Sequence, residues 1–301
     1  MITLANAPVS YGVFELGGQE GVALPGPEEL AGLIAAAGYT GIDSGPIGML
    51  GRGDELRERL RRHGLALAGG WADLPFSDTE AFDAALPGYQ EALAFFAEAA
   101  EVDLARPPKP TLADSGSPAR RANPGGGDGL SLTPAQWDTF AANLGRAVGL
   151  ASRAGLEATF HHHACTFVET PQEIDELLAR TDVGLTLDTG HLLLGGGDPL
   201  TGLERWAARI NHLHIKDARR SVLDAVVAAR GGMRDVWTSR AFVPLGEGDL
   251  DLEGVMAWVV SSGYDGWLVV EQDVIPSTED DAGRPQADQV HNREVLRRWI
   301  P

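Results

Sequence analysis

Six of the chain's eight histidines fall between residues 161 and 214, each close to the expected end of a β-strand. The runs are Phe160-His161-His162-His163, Leu187-Asp188-Thr189-Gly190-His191 and His212-Leu213-His214-Ile215-Lys216-Asp217. A fourth run, Val269-Val270-Glu271-Gln272-Asp273, ends the last apolar strand. Imidazole and carboxylate together suit a divalent transition metal. Four such runs serve one site only if the elements carrying them lie side by side.

Short apolar runs alternate with longer helical patterns. The expected strands are Ile2–Val9, Thr40–Asp43, Leu65–Gly69, Glu101–Ala105, Glu157–His161, Gly184–Asp188, Ile210–Ile215 and Trp267–Glu271. Between them lie helical stretches such as Thr79–Ala100, Pro134–Ala154 and Pro171–Arg180. Thr170-Pro171-Gln172-Glu173 reads as a capping box with proline at the first helical position, and Thr133-Pro134 reads the same way. Gly38, Gly64, Gly155 and Gly263 each stand just past a helix and just before a strand, where a left-handed residue is wanted. Helix, glycine and strand in eightfold alternation predict one (β/α)8 TIM barrel domain over residues 1–301. No GxGxxG follows the first strand, which weighs against a dinucleotide fold. Arg106–Leu132, after the fourth expected strand, reads as a long mobile loop, and Ala218–Glu247 is an insertion after the seventh. Both leave strand C-terminal ends, where barrels carry their active sites, so one or both are expected to cover the pocket.

Period-two alternation sorts the site residues. It puts His161 and His163 on one face and His162 on the other. His212 and His214 share a face; His214 is nearer the strand end and the better ligand, whereas His212 also reads as a core histidine. Asp188 ends an apolar run and projects at the barrel mouth, or else caps the following segment. His191, three residues on, can ligate a metal or donate to substrate. Glu271 closes so apolar a run that it must be paired or a ligand. Gln272 and Asp273 alternate away from the pocket, and Lys216 and Asp217 can reach substrate. Glu169 either points inward or is a solvent-facing loop residue.

Bulk composition narrows the partners. A net charge of −19 repels phosphate backbones and anionic lipid, and no apolar run is long enough for a membrane helix. The N-terminus lacks a basic stretch, and a single cysteine, Cys165, fits a reducing compartment. The expectation is a cytoplasmic protein without nucleic-acid or membrane partners.

Several longer motifs go further. They are Asn6-Ala-Pro-Val-Ser-Tyr-Gly-Val-Phe-Glu15, Ala37-Gly-Tyr-Thr-Gly-Ile-Asp43, Gly69-Gly-Trp71, Val168-Glu-Thr-Pro-Gln-Glu-Ile-Asp175 and Pro244-Leu-Gly-Glu-Gly-Asp249. With the histidine runs, they resemble the xylose isomerase-like, sugar phosphate isomerase/epimerase superfamily of TIM barrels, and within it the inosose dehydratases. A Trp is usual there where Tyr11 stands, and a Glu where Asp43 stands. The resemblance implies one divalent metal, manganese or cobalt before zinc or magnesium, held by Asp188, His214 and Glu271. The usual strand-five glutamate is replaced by His161, so the fourth ligand is His161, Glu169 or a water. It implies Asn6, Trp71, His163 and Arg220 as substrate contacts, and His163, His191, Lys216 and Glu271 as acid–base candidates. The implied reaction is dehydration of a keto-polyol such as 2-keto-myo-inositol through an enediolate. A ketose 3-epimerase or sugar isomerase uses the same scaffold, and a homodimer is a further implication. The chain's acidity argues against the superfamily's endonucleases. A non-catalytic sugar- or metal-binding protein is the reading from another class.

Overall fold

The computed structural model describes residues 2–14, 21–126, 129–278 and 283–301. Glu15, the end of the opening motif, and residues 127–128 of the first insertion lie outside them. Ten strands occur among the described residues: β1 (Thr3–Asn6), β2 (Gly41–Asp43), β3 (Ala66–Leu74), β4 (Lys109–Asp114), β5 (Thr159–His161), β6 (Gly184–Asp188), β7 (Ile210–Ile215), β8 (Asp217–Ala218), β9 (Phe242–Val243) and β10 (Trp267–Val270). Eight of them close a parallel barrel in the order β1-β10-β7-β6-β5-β4-β3-β2. The expected barrel is the observed one. The seam pairs Thr3 with Trp267 and Asn6 with Val270, and β8 and β9 form a separate antiparallel ribbon.

Local chemistry explains the helix ends. Thr170 Oγ1 accepts from Glu173 N at 3.3 Å while Glu173 Oε2 accepts from Thr170 N at 3.0 Å, completing the capping box of helix Pro171–Arg180. Thr133 and Gln136 do the same for helix Pro134–Arg153. Gly64 (φ +64°) ends helix Gly53–His63 in the left-handed region, which lets β3 begin two residues later. The apolar faces of the outer helices bury Leu30, Leu56, Phe96, Phe140 and Leu177 against the sheet.

The fourth strand lies later than expected. Residues 101–105 form a turn, and Leu104 is 80% exposed. The strand is Lys109–Asp114, inside the segment expected to be loop. Pro107, Pro108 and Pro110 make that stretch look non-regular, yet its inward residues are fully buried. The second insertion is ordered: it holds helices Arg220–Ala228 and Met233–Thr238 and the β8–β9 ribbon. Asp217 organises its return. Its carboxylate accepts from Gly246 N (2.9 Å), Gly248 N (3.0 Å) and Leu250 N (3.1 Å), so it holds the loop and does not face substrate. Among the described residues no helix is long and apolar enough to cross a membrane.

Candidate functional site

The C-terminal ends of β5, β6, β7 and β10 deliver His161, Asp188, His214 and Glu271 to one point. One donor atom from each lies within 4.8 Å of the other three, and all four residues are buried. His214 Nδ1 lies 3.2 Å from Glu271 Oε2 and 3.7 Å from Asp188 Oδ2, and His161 Nε2 lies 3.5 Å from Asp188 Oδ2. Both ring nitrogens of His214, Asp188 Oδ2 and Asp43 Oδ1 are buried without an aligned hydrogen bond. Buried polar atoms normally have partners. Of these atoms, His214 Nδ1 and Asp188 Oδ2 face one another across the four-donor cluster, and its two imidazoles and two carboxylates form a donor set for a divalent transition metal.

The electrostatics agree. Burial alone would lower the His214 imidazole, but the Glu271 carboxylate, with Asp43 and Asp188 behind it, lifts it to about 9. Burial pushes the Asp43 carboxyl up to about 7, against the pull of His214. Burial also opposes ionisation of Glu271, yet His214 and Lys216 hold it below the usual carboxylate range. The centre therefore carries more negative charge than Lys216 neutralises and draws a proton onto an imidazole. A divalent cation can stand in for that proton.

A cavity of about 440 Å³ opens above the four donors. Trp71, His163, Trp237 and Asp114 form its walls, and both insertions contribute, through Ser115 and Arg121 from the first and Met233 and Trp237 from the second. His163 stands edge-on to Trp71 (centroids 4.9 Å) and roughly parallel to Trp237 (6.0 Å). Its Nδ1 donates to Ala164 O at 2.8 Å, which fixes the tautomer and leaves Nε2 as the acceptor. Burial, then neighbouring His161, lowers its basicity well below the usual value, so the ring is neutral at neutral pH. His162 turns away from the cavity, and its Nε2 accepts from Asp188 N at 3.1 Å.

Three expected site residues lie elsewhere. Glu169 is buried against Arg120 (3.6 Å) and accepts from Gly125 N, away from the four-donor cluster. Asn6 turns outward from the barrel mouth; its Nδ2 donates to Val270 O and Gln289 Oε1, both at 2.9 Å, and Ala7 lines the cavity in its place. Arg220 starts a helix and points outward, donating to Leu193 O (3.1 Å) and Asp224 Oδ1 (3.3 Å). Conversely, Asp273 was expected on the far face but lines the cavity. It bonds Lys216 Nζ at 2.6 Å and accepts from Trp237 Nε1 at 3.1 Å. Counted from Glu271, period two places Asp273 on the same side and only Gln272 on the other, which is where they lie.

Asp114 offers a pH test of this wall. Its Oδ1 accepts from Gly116 N at 2.8 Å and Phe167 N at 3.3 Å, and burial pushes its carboxyl up to about 7. From about pH 4 to about pH 7 the native state keeps this proton while the unfolded chain has released it, so raising the pH across that window favours unfolding. Asp114→Asn keeps the acceptor and removes the titration. It is expected to raise Tm by a few degrees at pH 8 and leave it unchanged at pH 4. Equal Tm values at pH 8 by calorimetry would contradict the assignment.

A closed parallel barrel with donors converging at its C-terminal rim defines an α/β barrel with a histidine–carboxylate centre. The chain belongs to the xylose isomerase-like TIM barrel family, whose model matches residues 31–299. In sequence it is similar to an inosose dehydratase of Geobacillus kaustophilus (strain HTA426), at 37% identity over 149 residues, 48% of each chain. The chain thus spans about half the length of the curated relatives it matches. In structure it is similar to an L-ribulose 3-epimerase (TM-score 0.68, 15% identity, covering 100% of this chain and 95% of that one). It is also similar to an IOLI protein solved with a binding zinc atom (TM-score 0.64, 15% identity, 99% of each chain).

Proposed function

We propose that this chain is a metal-dependent hydro-lyase that dehydrates a keto-polyol of the 2-keto-myo-inositol type. The observation that carries the reading is the convergence of His161, Asp188, His214 and Glu271 directly beneath a cavity walled by a tautomer-fixed imidazole. The relative named inosose dehydratase supplies the reaction, and a cavity of about 440 Å³ suits a six-membered polyol ring. Manganese or cobalt is the expected ion. When bound, it supplies Lewis acidity to a carbonyl and its neighbouring hydroxyl. The reading includes a cytoplasmic location, no nucleic-acid partner, and a homodimer as the assembly to test.

The chain's own residues then divide the work. Trp71 and Trp237 offer apolar faces to the ring's C–H surface. The acid–base candidates all line the cavity, but Lys216 is held by three carboxylates and His191 Nε2 faces its ammonium, whereas the hydrogen bond that holds His163 uses Nδ1 and leaves Nε2 to substrate. His163 Nε2 takes the proton from the carbon beside the carbonyl, and the resulting imidazolium returns it to the departing hydroxyl. The insertions limit water around that exchange. The 3-epimerase alternative differs only in where the proton goes back, and a structural neighbour of that name keeps it in view.

The test is incubation of manganese-loaded protein with 2-keto-myo-inositol, following the conjugated dione by absorbance. Chelator-sensitive dione formation supports the reading; ketose epimerisation without dione replaces it with the alternative. In the same assay His163→Ala is expected to lower kcat by about 10²- to 10⁴-fold, and His162→Ala by far less. Equal losses would overturn the role given to His163.

A further inference from the structure

Beside the four-donor centre lies a second set of potential ligands. Donor atoms of His163, His191 and Asp273 fall within 4.8 Å of one another. Between the two sets stands Lys216, 1% exposed. Its Nζ is 2.6 Å from Asp273 Oδ1 and 3.1 Å from His191 Nε2 on one side. On the other it is 3.0 Å from Glu271 Oε2 and 3.4 Å from Asp188 Oδ2. It thus touches two members of each set.

Resting on the metal reading above, we infer that the Lys216 ammonium is a resident cation in the second ligand set, and that it restricts the centre to a single metal ion. Two-metal sites place their ions about 3.5–4 Å apart and share carboxylates between them. Lys216 Nζ contacts the carboxylates of Asp188 and Glu271 as a second ion would. A divalent ion at His163, His191 and Asp273 would sit against a fixed positive charge at contact distance, where like-charge repulsion opposes its binding. The ammonium is held in place along its whole length. Gly190 lacks a side chain, and a Cβ there would come within 2.7 Å of Lys216 Cγ, so the stem lies close against helix Thr189–Leu194. Thr189 Oγ1 accepts from Lys216 N at 2.9 Å and donates to Lys216 O at 2.7 Å. The Phe242 ring centroid lies 5.0 Å from Nζ, within cation–π distance. A monovalent charge in this position leaves His163 free to move protons, whereas a metal there would occupy its Nε2.

The experiment counts ions. Chelator-stripped protein is loaded with excess Mn²⁺, desalted and analysed for metal, with electron paramagnetic resonance to detect spin-coupled pairs. Wild type and Lys216→Arg should each hold one ion per chain. Lys216→Gln should hold two, with a coupled-pair spectrum. Lys216→Gln combined with Asp273→Asn should return to one. If Lys216→Gln folds only when refolded with Mn²⁺, two equivalents should be needed; recovery with one would overturn the inference. Two ions in wild type, or one ion in folded Lys216→Gln, would also overturn it while leaving the proposed function standing. No ion in wild type would remove the metal reading itself, and this inference with it.

Discussion

His214→Ala protein is expected to bind no divalent ion and to turn over about 10³-fold more slowly than wild type, while keeping its barrel. His214 sits in the middle of the centre, 3.2 Å from Glu271, 3.7 Å from Asp188 and 3.9 Å from Asp43, with its ring 4.9 Å from that of His161. Removing it takes away one of four donors and leaves three carboxylates facing one another. The rate loss corresponds to about 4 kcal/mol of lost charge stabilisation. The fold survives because neither ring nitrogen makes an aligned hydrogen bond, and the β7 ladder runs through backbone groups. Elemental analysis, circular dichroism and the dione assay read the three parts separately. Full metal occupancy in the variant would remove His214 from the ligand set.

Arg120→Ala is expected to be among the most destabilising single changes, at about 3–5 kcal/mol. The Arg120 guanidinium is fully buried. Its Nη2 pairs with Glu173 Oε1, its Nη1 lies 3.6 Å from Glu169 Oε2, and its Nε donates to Leu130 O at 3.2 Å. Glu173 also completes the capping box of helix Pro171–Arg180. One side chain thus ties the first insertion to the start of that helix. Its removal strands two buried carboxylates, of which burial already pushes Glu169 up to about 7. Thermal unfolding should fall by on the order of ten degrees. The double variant Arg120→Met with Glu173→Gln should lose less than the single variants sum to, because it removes the unpaired charge. An unchanged Tm in Arg120→Ala would refute this account.

Much of the barrel was legible because its punctuation is local. Gly38, Gly64, Gly155 and Gly263 all adopt positive φ, and both threonine capping boxes form. Strand alternation also separated His163 from His162, because the alternation of β5 continues for two residues past its end at His161. The failures share a different cause. The fourth strand hides behind Pro110, which gives up a ladder hydrogen bond, while Glu101–Ala105 looks like a strand and is a turn. Asp273 was misplaced by grouping it with Gln272, although it stands two residues after Glu271 and shares its side. Glu169 has its partner in another loop, and no local pattern reports an arginine so far away in the chain. Trp237 comes from an insertion whose helices carry no signal of what they cover.

The seam between β1 and β10 has a kinetic meaning. It joins Thr3 to Trp267, so the strand pairing that seals the barrel spans nearly the whole chain, and such pairings are slow to form. Glu271 follows directly on that final strand, whereas His161, Asp188 and His214 belong to earlier ones. A nascent chain emerging from its N-terminus therefore carries three of the candidate donors before the fourth exists. The candidate four-donor centre is complete only once this last strand has docked, so an ion that prefers the finished centre would favour the sealed barrel by mass action.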